Sequence, residues 1–289
     1  MRRYEFVLVD AFTTTPHQGN PCAVLLDAAG LEPAAMQRIA RELGLSETAF
    51  VVGSERADVG VRYFTPLREI PLAGHPTVAT AHALVEAGRL APNARVSFEM
   101  PAGVIPVDIE TIGQSRRYTM EQPAPKFGAL IDPLPVASAL GLSPADLFGE
   151  RPPQIVSTGA PFLLVGLRSR DALDRAHADR AALFAAFDET AFGVHLFART
   201  DGETAFIARQ FGAPGDVAED PVTGSACGAL AAYAWQNRLV DEPAFTIAQG
   251  AHVGRPGRVY AQVLTHGGSI TGVRVGGEAV SALRGAIAA

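Results

Sequence analysis

The sequence predicts an α+β chain of two related halves, each made of many short strands and one buried helix. Three observations carry this. A Glu-x-Pro-x-x-Gly element occurs twice, as "EIPLAGHPTVATAHAL" (69–84) and "EDPVTGSACGALAAYA" (219–234). Glu69/Glu219, Pro71/Pro221, Gly74/Gly224, Ala79/Ala229 and Ala81/Ala231 coincide there without a gap. The flanks repeat in the same order: "RYF" (62–64) and "RQF" (209–211) stand upstream, and "GNPCAVLL" (19–26) resembles "GAPFLLVG" (159–166). Finally, most periodic segments are short, alternating or β-branched, which is strand patterning.

Taken in chain order, "YEFVLVDAF" and "NPCAVLLD" read as strands. "EPAAMQRIARELG" reads as a helix: Pro33 suits its first turn, Met36, Ile39, Ala40 and Leu43 share a face, and Gly44 suits its C-terminal cap. "TAFVV", "VGVRYFTP" and "ARVSFEMPAGVIPVDIE" read as strands. After Gly74, "HPTVATAHALVEAG" reads as a helix whose small Ala and Thr residues suit close packing on all sides. "SACGALAAYAWQNR" after Gly224 reads the same way. The second half adds strands at "QIVST", "FLLVGL", "GVHLFAR", "ETAFIARQF", "AFTIAQG", "RVYAQVLT" and "SITGVRVGG". The Pro-rich stretch 121–136, "EQPAPKFGALIDPLPV", reads as the junction. The domains expected are therefore 1–121 and 122–289, with a last strand able to cross back to the first half.

Composition narrows the function. In 289 residues, 48% are hydrophobic and 19% charged, a globular balance with enough chain for a substantial core. The net charge of -6 comes without any Lys/Arg run or basic stripe, so nucleic acid is not an expected partner. The N-terminal apolar run is broken by Glu5 and Asp10, and no stretch reaches membrane length, so neither a signal peptide nor a membrane span is expected. Two cysteines far apart, Cys22 and Cys227, make no disulfide framework and fit a reducing cytoplasm.

Phosphate-loop, GxGxxG, HExxH, CxxC and GxSxG motifs are absent. His75 and His82 lie seven apart, which is not a zinc spacing, so neither a metal nor a cofactor is expected. What remains is the repeat. A glycine at a helix start lets backbone approach a ligand, and the free N–H groups and helix dipole attract an anion. Two such starts facing across an inter-domain cleft would suit a small carboxylate. Each glycine also suits simple helix capping. The first start offers Gly74, His75 and Thr77; the second offers Asp220, Thr223, Gly224 and Ser225. Asp220 can hold a protonated neighbour, accept a proton, or merely face the helix dipole. Glu47, in "GLSETAFVV", follows a helix and enters a strand. Desolvated at a cleft mouth, it would carry protons near neutral pH. On spacing alone it competes with Glu42 and Glu55, and a solvated strand-end carboxylate is the simpler reading.

"GNPCAVLL", "MQRIARELGLSETAFV", "YFTPLREIPLAGHPT", "EDPVTGSA" and "QGAHVGRP" together resemble the PhzF family, over residues 4 to about 256 and in family order. The resemblance implies a diaminopimelate epimerase-like fold, with two similar domains, each a mostly antiparallel sheet wrapped around a central helix, and an active site between them. It implies Glu47, His75 and Asp220 as catalytic residues, with Gly74, Gly224 and Ser225 binding substrate; Thr77 and Thr223, polar residues at the same two helix starts, are expected to bind substrate with them. It also implies a homodimer. The implied activity is a cofactor-independent isomerase, similar to trans-2,3-dihydro-3-hydroxyanthranilate isomerase, that shifts a proton on a small cyclic or unsaturated carboxylate. Alternatives are an epimerase or racemase of an amino-acid-like acid using non-thiol bases, and a non-catalytic metabolite-binding protein. The related racemases place one Cys per domain at positions matching Ala73 and Thr223, neither of which is a thiol. Cys22 and Cys227 read as packing residues. One departure concerns substrate: the phenazine enzyme carries Ala where this chain has Pro221.

Overall fold

A computed structural model describes residues 2–149, 151–187 and 191–289. The chain divides into two compact units, Met1–Glu121 with Val275–Ala289, and Gln122–Arg274.

In the first unit the order is β1 (Arg3–Ala11), β2 (Asn20–Leu25), α1 (Pro33–Leu43), β3 (Glu47–Val52), β4 (Val59–Phe64), β5 (Glu69–Ile70), α2 (Gly74–Glu86), β6 (Ala94–Met100), β7 (Gly103–Ile112) and β8 (Ser115–Gln122). β1 and β2 are antiparallel, and β2 and β3 are parallel across the α1 crossover. β4 is antiparallel to β3 and to β5, and parallel to β6 across the α2 crossover. β6, β7 and β8 continue antiparallel. The run "ARVSFEMPAGVIPVDIE" is thus a hairpin of β6 and β7.

The expected core face of α1 is the observed one. Met36, Ile39 and Ala40 are buried against Tyr4, Leu25, Phe50 and Phe64, and Leu43 packs on the same cluster. Burying a side chain such as Met36 or Ile39 contributes about 1.5–3 kcal/mol, more than the intrinsic helix propensity of an 11-residue segment supplies. The helix α2 differs in kind. Every residue from Gly74 to Val85 is buried, as its Ala- and Thr-rich sequence requires of a helix packed on all sides.

The second unit contains β9 (Lys126–Leu130), α3 (Pro133–Ala139), β10 (Gln154–Ser157), β11 (Pro161–Leu167), α4 (Arg170–Arg175), α5 (Arg180–Ala185), β12 (Gly193–Arg199), β13 (Phe206–Gly212), β14 (Glu219–Asp220), α6 (Gly224–Gln236), β15 (Ala244–Gln249), β16 (Gly257–His266) and the first part of β17 (Ser269–Ala288). From Val275 onward β17 belongs to the first unit, where Ala279–Ala288 pairs antiparallel with β1. The ladder repeats that of the first unit. β10 and β11 are antiparallel, β11 and β12 parallel across helices, and β12 and β13 antiparallel. β13 pairs antiparallel with β14 and parallel with β15 across α6, and β15 pairs antiparallel with β16. Like α2, α6 is buried along nearly its whole length, from Gly224 to Ala234 with the exception of Ser225.

The Pro-rich stretch 121–136 is not a bare linker. It holds β9, paired with β10, and the start of α3. Pro133 and Pro135 lie in that helix's first turn, where a missing N–H costs nothing, and the Asp132 side chain accepts from Leu134 N to cap it.

The repeated Glu-x-Pro-x-x-Gly element has a structural cause in each unit. In the first, Arg62 of β4 donates from Nε to Glu69 Oε1 at 2.7 Å and from Nη2 to Oε2 at 2.6 Å. In the second, Arg209 of β13 donates from Nε to Glu219 Oε1 at 2.9 Å and from Nη2 to Oε2 at 2.8 Å. Phe64 faces Glu69 and Phe211 faces Glu219 in the strand register. Each bidentate pair fastens a two-residue strand to its neighbour, four residues before the helix it delivers.

Candidate active site

The residues at the start of α2 form one group. Ala73 is its N-cap and offers no side-chain hydrogen bond, so the first-turn N–H groups are left without a side-chain cap. His75 is 3% exposed. Its Nε2 lies 3.3 Å from Oε2 of Glu47, the first residue of β3, whose side chain is 20% exposed. Its Nδ1 lies 3.2 Å from Nδ2 of Asn20, the first residue of β2. Two parallel strands and a helix start thus bring a carboxylate, an imidazole and an amide together. Glu42 and Glu55, the rivals of Glu47 on spacing, are both exposed.

Burial drives the His75 pKa down from 6.5 to about 3, so the imidazole is neutral at pH 7. His195 of β12 is also fully buried and is lowered to about 4, although its contact with Gln210 works the other way. Between pH 6.5 and about 4 the unfolded chain binds protons at these two positions that the native chain does not. Native stability therefore falls as pH drops below 6.5, by roughly 1.4 kcal/mol per unit for each histidine. The urea midpoint is expected to fall between pH 7 and pH 5 by the equivalent of roughly 2–4 kcal/mol. A flat midpoint over that range would contradict the neutral assignment.

Thr77 is placed differently from the expectation. It has no exposure. Its hydroxyl donates to Ala73 O at 2.7 Å and lies 2.9 Å from the Tyr63 hydroxyl. Those bonds, inside the unit, hold the helix start to β4. His82, seven residues further along α2, sits apart from this group, with its Nδ1 3.1 Å from Tyr118 Oη and its Nε2 3.4 Å from Glu86.

The start of α6 forms the second group. Thr223 is the N-cap, again without a side-chain cap. Its hydroxyl donates instead to Asp220 Oδ2 at 2.5 Å. Gly224 is buried, and Ser225 is half-buried in the first turn. Gln249, the last residue of β15 and 4% exposed, ties this group together. Its Oε1 accepts from Thr223 N at 3.1 Å, and its Nε2 donates to Asp220 O at 2.9 Å. Gly250 follows at φ +93, where a Cβ would stand 2.2 Å from Arg255 O and 2.7 Å from Pro221 O. Only glycine lets the end of β15 close on the Asp220 loop. Sequence reading missed Gln249 as a site residue. The quoted "QGAHVGRP" contained it, but no spacing rule links a strand-end glutamine to a loop some 30 residues upstream.

The two units differ at the Glu47 position. Cys22 of β2 faces Glu47 of β3 in the parallel register, and Phe162 of β11 faces Gly193 of β12. The "GNPC" and "GAPF" matches align Cys22 with Phe162, so Gly193 is the counterpart of Glu47. A Cβ on Gly193 would lie 1.9 Å from Gln210 Nε2 and 2.7 Å from Phe211 O. The second unit therefore has no room for a side chain there, let alone a second acid. The thiols offer no substitute. Burial, reinforced by the Glu47 charge, pushes Cys22 well above its usual pKa, and burial followed by the Asp220 charge raises Cys227. Both stay protonated at neutral pH and pack in the interior, as expected.

Known proteins share this architecture. The structure is similar to that of the Bacillus anthracis phenazine biosynthesis protein of the PhzF family, with a TM-score of 0.91 and 32% identity over 100% of both chains. A predicted epimerase from Pseudomonas aeruginosa follows at TM-score 0.84 and 32% identity over 99% of each chain. A hydroxyproline epimerase from Agrobacterium vitis, at TM-score 0.65 and 11% identity over 99% of this chain and 92% of that one, shares the fold. In sequence, the chain is 36% identical over 288 residues to trans-2,3-dihydro-3-hydroxyanthranilate isomerase of Pseudomonas fluorescens, covering 98% of this chain and 99% of that protein. It is 34% identical over 285 residues to the uncharacterized isomerase YfhB of Bacillus subtilis, covering 97% of each. A family model described as "Phenazine biosynthesis-like protein" matches residues 9–285, and on that span and those identities the chain belongs to the PhzC-PhzF family.

Proposed function

We propose that the chain is an isomerase that moves a proton within a small cyclic or unsaturated carboxylate, with Glu47 as the single proton carrier. The names of its relatives support isomerase activity. The observation that carries the finer reading is the asymmetry between the units. Glu47 stands 3.3 Å from a buried imidazole in one, and a glycine with no room for a Cβ stands at the matching position in the other. Inverting a stereocentre with two bases needs an acid–base group on each face of the carbon. A proton shift along one face needs only one.

In this reading the Glu47 carboxylate removes a proton from a saturated carbon next to a π system. The electron pair moves through that system, and the Glu47 carboxylic acid returns the proton to its far end. No electrons are gained or lost overall. Neutral His75 donates a hydrogen bond to the charge as it moves. The N–H groups at the start of α2, which lack a side-chain cap, are suited to bind the carboxylate. General acid–base catalysis contributes roughly 10²–10⁴-fold, and positioning supplies the remainder.

The test is turnover in D₂O with trans-2,3-dihydro-3-hydroxyanthranilate and a panel of cyclic unsaturated acids. The expected result is an isomerised product carrying deuterium at the newly formed C–H bond, because the Glu47 proton exchanges with solvent between the two transfers. Binding of these acids without turnover across the panel would overturn the isomerase reading and favour a metabolite-binding protein. Loss of chirality without bond migration would favour an epimerase.

A further inference from the structure

We infer that Asn20 fixes the tautomer of His75, so that the imidazole presents Nε2–H toward Glu47 and holds it for an acceptor atom on the ligand. This deepens the reading above and rests on Glu47 and His75 acting together. Asn20 has no exposure and His75 is 3% exposed, so water does not set the proton's position. The Asn20 amide nitrogen lies 3.2 Å from His75 Nδ1. An amide NH₂ only donates, so Nδ1 is the bare nitrogen and the single proton of the neutral ring sits on Nε2.

A second argument reaches the same tautomer from the other side of the ring. Nε2 is 3.3 Å from Glu47 Oε2. With Nε2 bare, its lone pair would face a carboxylate oxygen at that distance, a repulsive contact whenever Glu47 is in the base form that the proposed reaction requires. With Nε2 protonated, the contact is attractive. The pair is nevertheless not aligned as a hydrogen bond, and Nε2 is a buried atom with no aligned partner. Buried polar groups in native proteins are overwhelmingly paired, and an exception beside a catalytic carboxylate marks a donor that a ligand completes. The ligand class follows. It must place an acceptor, such as a carbonyl, amine or hydroxyl heteroatom, beside the carbon that Glu47 deprotonates. Asn20 acts through His75 and is a positioning residue.

The test reads the ring nitrogens directly. In ¹⁵N-histidine-labelled protein at pH 7, without substrate, His75 Nδ1 is expected to show a bare, pyridine-like shift and Nε2 a protonated, pyrrole-like one. In Asn20→Asp the carboxylate accepts from Nδ1, and the proton is expected there instead. A wrong tautomer of a catalytic histidine lowers turnover by as much as about 10⁴-fold, and Asn20→Asp is expected to lower kcat at least about 10²-fold with a smaller change in KM. A wild-type ring with its proton on Nδ1, or an Asn20→Asp ring unchanged from wild type, overturns the inference. Because the wild-type spectrum needs neither substrate nor a variant that folds, its failure is separable from that of the Glu47 reading, which the deuterium experiment decides.

Discussion

Glu47→Gln is expected to lower turnover by roughly 10²–10⁴-fold and to abolish solvent-deuterium incorporation, with the Kd for a carboxylate ligand changed little. The amide matches the carboxylate in shape, so the 3.3 Å approach to His75 Nε2 survives the substitution. What is lost is the capacity to take a proton. In the proposed reading, anion binding draws on the N–H groups at the start of α2, whose N-cap Ala73 provides no competing side-chain cap. Glu42→Gln and Glu55→Gln are the controls: both residues are exposed, and neither substitution is expected to change turnover measurably. Undiminished deuterium incorporation in Glu47→Gln would remove Glu47 from the mechanism.

The internal repeat was legible because it is a backbone requirement written in residue types. The Glu of each copy fastens a short strand to an Arg two strand positions away, and Pro follows that strand directly. Less legible were side chains whose partners lie far away in sequence. Nothing local to Asn20 announces His75, and nothing local to Gln249 announces Asp220; both pairings are set by how strands align. Thr77 shows a different ambiguity. A threonine in the first turn of a helix reads equally well as a ligand contact or as a bond back into the fold, and here its hydroxyl lies 2.9 Å from the buried Tyr63 hydroxyl. The strands β5 and β14 were invisible because two residues carry no periodicity. The strand β8 hid behind its charges: Tyr118 and Met120 face inward, but Arg116, Arg117 and Glu121 break the apolar signal.

The same clamp occurs twice, yet its two copies are expected to differ sharply in what their loss costs. Arg62 and Glu69 have side chains 28% and 30% exposed, so water and salt screen their attraction. Arg62→Met is expected to destabilise the protein by no more than about 1 kcal/mol. Arg209 and Glu219 are 10% and 16% exposed. Arg209 also donates from Nη1 to Leu173 O at 2.9 Å and Ala176 O at 2.8 Å, satisfying carbonyls at the C-terminal end of α4. Arg209→Met strands a largely buried carboxylate and two helix-end carbonyls at once, and is expected to cost about 3–5 kcal/mol in chemical denaturation at pH 7. If the cost comes from the stranded charge, Arg209→Met combined with Glu219→Gln should recover part of it, because the uncompensated carboxylate is gone. An equal loss in Arg62→Met and Arg209→Met, or a double variant no better than the single one, would show that burial does not set the strength of these clamps. Function should follow the same order. Glu219 is the strand neighbour of Asp220, a proposed site residue, so if Asp220 orients substrate, Arg209→Met is expected to raise KM more than Arg62→Met does.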